Sequence, residues 1–197
     1  MFKLNTPLVL ASNSPRRKQL LQEAGFDFEV EVRSTDETYP ADTKPDQVAA
    51  YIAQQKAEVF RADKYDKLIL TADTVVVFED RILGKPADRE EAYTMLQALS
   101  GNTHQVVTAI SLLAHGKLTT YSDIATVSFK ILEDFEINYY IDHYNPFDKA
   151  GSYGIQEWIG MIGIDRIQGS FYTIMGLPVH LVYQILKPYL LLPAESK

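Results

Sequence analysis

Apolar residues recur along this chain in two rhythms, near-continuous runs and stripes spaced by three and four, and the two predict different elements. Leu8 to Ala11 reads as a short buried strand, after which the chain turns through Ser12-Asn13-Ser14-Pro15. Ser14 is a good N-cap, and Pro15 suits the first helical position, where its missing N–H would have no partner anyway. Leu20, Leu21 and Ala24 give that helix an apolar side, and Gly25 ends it. A second helix is predicted from Pro45 to Phe60, burying Val48, Ile52 and Val59. Leu68 to Phe78 is apolar almost throughout, as a strand buried on both faces should be. Glu79-Asp80 turns it into Ile82-Leu83. Asp88, with Glu91 three residues on, is an Asp variant of the capping box, and Ala92, Met95, Leu96 and Leu99 form the stripe of the helix that follows. Val106 to Ala114 and Ile124 to Phe129 are β runs joined through a hairpin turn at His115-Gly116. Ile137, Tyr140, Ile141 and Tyr144 mark a helix that stops before Pro146. Gly151 to Gly154 reads as a loop, and Leu177-Pro178 opens a last helix toward Tyr189. Hairpins mixed with crossover helices predict an α/β fold with a mixed sheet.

Composition narrows the function without changing the fold. A length of 197 residues with no repeat, low-complexity segment or Gly/Ser/Pro-rich linker fits one domain over residues 1–197. Nineteen basic against 26 acidic side chains leave a net charge of −7. That argues against nucleic acid as a partner, because such binding needs a basic surface that displaces counterions. A small anion remains compatible, since a local basic cluster reverses the field inside one cleft. The absence of cysteine removes disulfides, thiol catalysis and thiolate metal sites. Apolar stretches are broken by Asp, Pro or Lys well short of the roughly 18 residues a membrane span needs. The positive charges near the start follow the apolar run, the reverse of a signal peptide. The expectation is a cytoplasmic protein with no membrane partner.

Candidate chemistry shows where local rules are broken. Arg16 and Arg17 stand in a first helical turn, where the helix dipole favours anions. Two guanidinium groups behind hydroxyls at a helix start suit phosphate oxygens, although pairing with surface carboxylates explains them equally well. Asp73 interrupts an apolar strand, sharing a face with Ile69, Val75 and Val77. A carboxylate there is costly unless it is paired, binds a metal or caps a neighbouring turn. Lys56 on its helix reads as an ordinary solvated lysine, whereas Lys85 sits in the rigid Gly84-Lys85-Pro86 turn. Lys149 to Gln156 combines glycines that admit a ligand to the backbone with an amide able to donate and accept. The histidines lie 11, 28 and 37 residues apart, with no zinc-site spacing. A hard-ion site built by carboxylates such as Glu37 and Asp73 with phosphate oxygens stays open.

In their order and spacing these segments resemble the Maf family of nucleoside triphosphate pyrophosphatases nearly end to end. The likeness rests on LASNSPRRKQLL, Asp36-Glu37, Lys56-Ala57, TADTVV from Thr71, LGKP from Leu83, LSGNTHQVVTAI, KAGSYGIQ from Lys149 and GSFYTIMGLPV. The KAGSYGIQ form is similar to the subgroup acting on dTTP and UTP rather than on methylated GTP. The resemblance implies an ITPase-like (Maf/Ham) fold, a long bent mixed sheet flanked by helices with a deep central cleft. It implies hydrolysis between the α- and β-phosphates, a divalent cation (Mg²⁺ or Mn²⁺), a homodimer and a family link to septum formation and division arrest. It places Asp73 at the position of the general base and Arg17, Thr74 and Gln156 at positions that select the base. Ser12, Arg16, Glu37, Lys56 and Lys85 match other polar positions of the cleft, with Glu37 and Asp73 as candidate metal ligands. A buried Gln156 would reject wrong bases by leaving its own amide unpaired. Whether Asp73 is base, metal ligand or both stays open. Two other readings remain: a nucleotide sensor of the same fold that does not hydrolyse, and a nucleotidyltransferase, which the lack of a second substrate domain disfavours.

Overall fold

A computed structural model of the protein describes residues 2–63 and 66–191. The chain runs through β1 (Leu8–Leu10), α1 (Pro15–Glu23), β2 (Glu29–Val30), α2 (Pro45–Glu58), β3 (Leu68–Phe78), β4 (Arg81–Leu83), α3 (Arg89–Leu99), β5 (Thr103–Ala114) and β6 (Lys117–Phe129). It continues through α4 (Asp134–Tyr144), α5 (Trp158–Gly163), β7 (Ile164–Gln168), α6 (Phe171–Ile174) and α7 (Val179–Leu186), with 3₁₀ turns at Pro146–Asp148, Ala150–Ser152 and Lys187–Tyr189. The strands form one sheet in the order β2-β1-β3-β5-β6-β7, with β4 also paired to β3. β1 is parallel to β2 and β3, and the remaining pairs are antiparallel. This is the mixed α/β architecture expected from the pattern.

The pairing of β3 decides where a cleft can form. One of its edges is bonded to β5 from Leu68 to Val77. The other is shared: β1 takes Leu68 to Leu70, and β4 takes Val76 to Phe78. Between them the edge of β3 opens over Thr71 to Val75. Alternation then sends neighbouring side chains to opposite faces. On one face Val75, Val107 and Ala109 pack against Val48, Ala49, Ile52 and Ala53 of α2. On the other, Leu70, Ala72 and Ile110 meet α1 and α7, whereas Val76, Val106 and Val127 meet α3 and α4. Burying such aliphatic side chains stabilises the fold by roughly 1.5–3 kcal/mol each.

Local signals set the element ends. Ser14 Oγ accepts from Arg17 N at 3.4 Å, and Asp88 Oδ1 from Glu91 N at 2.9 Å. The return bond of the second cap goes to Ala87 N rather than Asp88 N, 2.7 Å from Glu91 Oε2. Val59, expected inside, is 39% exposed because α2 ends at Glu58, and small alanines fill its inner face instead. β5 and β6 begin earlier than their apolar runs, at Thr103 and Lys117, because hairpin bonding carries polar residues into the sheet. The last helix ends at Leu186, and a 3₁₀ turn covers the stretch to Tyr189. Among the described residues, no helix is long and apolar enough to cross a membrane.

Candidate active site

The open edge of β3 carries the polar centre. Asp73 projects toward the α2 face, and Lys56 reaches it from the C-terminal half of α2, with Nζ 2.7 Å from Asp73 Oδ1. The same ammonium is 2.8 Å from Glu37 Oε1. Lys56 and Asp73 are largely shielded, at 17% and 12% side-chain exposure, while Glu37 is half exposed. Burial pushes the Glu37 carboxyl upward, but the bond and charge of Lys56, with Lys85 and Arg17 behind it, leave it below its ordinary value. The costly strand carboxylate is therefore paired, and the unremarkable helical lysine is its partner. Lys85, exposed on the turn after β4, lines the same cleft.

The two arginines of α1 do different work. Arg16 Nη1 is 3.0 Å from Asp148 Oδ2, an ion pair across the cleft mouth. Arg17 instead turns inward. It donates from Nε to Gly176 O and from Nη1 to Ala72 O, both at 2.8 Å, from Nη2 to Thr74 Oγ1 at 3.1 Å, and from Nη1 to Ser12 Oγ at 3.4 Å. The carbonyl of Ala72 belongs to the open edge, so Arg17 satisfies an orphaned strand acceptor there. Ser12 is buried and also accepts from Ser14 N at 3.2 Å.

Thr74 points to the other face and lines an inner pocket with Val76, Val106, Tyr153, Ile174 and Met175. Its hydroxyl lies 2.9 Å from Thr108 Oγ1, which donates to Thr173 O at 2.7 Å. Tyr153 is held from behind by His104, whose Nε2 is 2.7 Å from the phenol oxygen. Gln156 lines the pocket but is exposed. This corrects the expectation of a buried amide: the 3₁₀ turn at Ala150–Ser152 sinks residues 151–155 and leaves Gln156 at the rim. The cleft thus wraps round one strand edge, with Lys56, Arg16 and Lys85 suited to phosphates beside the Asp73 carboxylate, and the Thr74 side, with Val76, Val106, Ile174 and Met175, suited to a flat base.

Two residues that motif reasoning did not weigh bear on the cleft, Asp148 in its lining and Thr108 buried behind it. Asp148 contacts Arg16 and, at 2.7 Å, Lys149; the buried Lys149 also reaches Glu157 Oε1 at 3.1 Å. Thr108 was hidden inside an ordinary β run, and only strand register reveals its place opposite Thr74. For a metal, no group of three or more His, Cys, Asp or Glu side chains converges among the described residues. Asp73 and Glu37 share one ammonium, and two carboxylates completed by substrate phosphates are the usual donor set for Mg²⁺. The residues fit a cation of that class, with Lys56 standing between the two ligands.

Comparison with known proteins adds independent observations. A family model described as Maf-like protein matches residues 7–189. The chain is 52% identical over 184 residues to the dTTP/UTP pyrophosphatase of Parabacteroides distasonis, covering 92% of this chain and 95% of that protein. It is 50% identical over 188 residues to the dTTP/UTP pyrophosphatase of Porphyromonas gingivalis, covering 92% and 94%. Among solved structures, the Staphylococcus aureus Ham1 protein superposes with a TM-score of 0.53 at 18% identity, over 92% of this chain and 98% of that one. At that identity the likeness concerns the fold.

Proposed function

The chain belongs to the Maf family, and from that premise we propose that it hydrolyses dTTP and UTP to the nucleoside monophosphate and pyrophosphate. The observation that carries the reading is the cleft across the β3 edge. It joins the Asp73–Lys56–Glu37 cluster to a pocket lined by Thr74, Val76, Val106, Tyr153, Ile174 and Met175. The names of the similar relatives support hydrolysis over a purely sensing role.

In this reading water attacks the α-phosphorus, the bond to the α–β bridging oxygen breaks, and pyrophosphate leaves with that oxygen. Asp73 takes the proton of the attacking water. Lys56, bonded to Oδ1, fixes the carboxylate's orientation. Arg16 and Lys85 neutralise phosphate oxygens that would otherwise repel the nucleophile. Arg17, with four of its five N–H groups on protein acceptors, shapes the passage between phosphate and base rather than gripping a phosphate. Asp73 and Glu37 would hold Mg²⁺ or Mn²⁺, which supplies positive charge where the phosphates gain negative charge.

The test is pyrophosphate release from natural and base-modified triphosphates with Mg²⁺ and with Mn²⁺, beside Asp73→Asn. Preference for dTTP and UTP is expected, with kcat of the variant lower by about 10²–10⁴-fold. Full activity in the variant would remove Asp73 from its role; no release from any triphosphate would remove the reading. The proposal includes a cytoplasmic homodimer. Ile131, Phe135 and Met161 are large apolar side chains left 80%, 65% and 72% exposed. Sedimentation should give twice the 22.3 kDa chain mass, and a monomer at micromolar concentration would refute it.

A further inference from the structure

The hydroxyl groups behind the base pocket form a chain whose direction is fixed at one end. A carbonyl oxygen only accepts, so the single hydroxyl proton of Thr108 goes to Thr173 O, 2.7 Å away. Thr108 then meets Thr74 Oγ1, at 2.9 Å, only as an acceptor, and the proton between the two hydroxyls belongs to Thr74. Arg17 Nη2 donates to Thr74 from 3.1 Å and occupies one of its lone pairs. What Thr74 has left for a ligand is a lone pair and no proton. Thr108 is directly opposite Thr74 in the β3–β5 register, and both Thr108 and Thr173 have no exposed surface. Water cannot enter to reverse the chain, and reversal would take the shorter of its two bonds from the buried Thr173 carbonyl, leaving only Gly176 N at 3.1 Å. Thr74 itself lines the pocket. Beside it is Gly176 at φ +101°, where a Cβ would stand 3.2 Å from Thr74 Oγ1. The missing side chain keeps that oxygen open to the cavity.

We propose that Thr108 is a specificity-determining residue: by holding Thr74 as an acceptor, it selects bases that present a ring N–H, uracil and thymine, over cytosine. The N3 of uracil and thymine carries a proton and donates to Thr74. The N3 of cytosine is itself an acceptor and faces it lone pair to lone pair. The inference rests on the reading that this chain cleaves pyrimidine triphosphates, and it assigns the discrimination to a side chain that never touches the base.

The experiment measures kcat/KM for UTP and CTP, and dissociation constants of UMP and CMP by titration, in the wild type, Thr108→Val and Thr108→Ser. Valine keeps the shape but releases the Thr74 proton, so Thr74 can donate as well as accept. The UTP-to-CTP ratio should fall by about tenfold or more, with the UMP-to-CMP binding ratio falling alongside, while serine preserves both. A merely structural role would lower both substrates alike. Thr108→Ala serves in place of valine if that variant does not fold. Wild-type ratios retained in valine or alanine would overturn the proposal, as would a wild type that favours uracil in neither turnover nor binding. A wild type that cleaves neither UTP nor dTTP overturns the activity reading instead, and the binding ratio then decides the role of Thr108.

Discussion

His104 is 2% exposed, with one ring nitrogen on the Tyr153 hydroxyl and the other, Nδ1, without a partner among the described residues. Burial pushes its pKa from 6.5 down to about 4, because an imidazolium there would be desolvated without a counter-charge. The folded state therefore resists protonation more than the unfolded chain does. Stability is fully present above pH 6.5 and is lost progressively as pH falls toward 4. Between pH 7 and pH 5 the loss from this group should be about 2 kcal/mol. Urea unfolding at the two pH values should show it in the wild type and not in His104→Gln, which can still meet Tyr153 but does not titrate. An equal loss in both would refute the assignment. Single positions differed in how much their sequence context disclosed. Asp73 stood out because a carboxylate in an apolar strand needs an explanation. Its partner Lys56 did not, since a helical lysine is usually solvated. Thr108 was illegible: threonine is ordinary in a strand, and only the pairing register makes its hydroxyl a relay.

Among the elements, β3 was readable to its ends because both of its faces are buried and it is apolar almost throughout. The helices with strong caps or stripes followed suit. What escaped were pieces held by backbone pairing rather than by burial. β2 is two exposed residues, and β7, Ile164–Gln168, is mostly exposed and bonded to β6 across a bulge. The short α5 and α6 likewise show too few periods to reveal a stripe. The glycine that most constrains this region lies outside the Gly151 to Gly154 segment that drew attention. A Cβ on Gly160 would fall 1.9 Å from Ile155 O, so α5 can lie against the Gln156 turn only with glycine there. Gly160→Ala should cost on the order of 3 kcal/mol or more in denaturant unfolding and raise the KM for UTP by displacing Gln156. A variant within 0.5 kcal/mol of wild type, roughly the span of neutral surface changes, would refute the contact.

Across the full chain, a net charge of −7 coexists with a cleft lined by Arg16, Lys56 and Lys85. Composition argued against a nucleic-acid surface but could not locate this inversion, because the cations come from α1, α2 and the turn after β4. Two of these cations are already answered: Arg16 by Asp148, and Lys56 by Glu37 and Asp73. The mouth of the cleft is therefore built like an ion exchanger, with Arg16 loaded by a resident carboxylate, Asp148, that a guest phosphate must outcompete. A triphosphate carries enough charge to do so and a monophosphate carries less. On the proposed reaction, that difference in charge would favour release of the nucleotide product. Asp148→Asn removes one resident anion and should tighten inhibition by UMP about threefold to tenfold, read from Ki at fixed ionic strength. An unchanged Ki would mean that Arg16 is never released to the substrate. If Ki does fall, the acidic side chains at the mouth are what keep the enzyme from being poisoned by its own product.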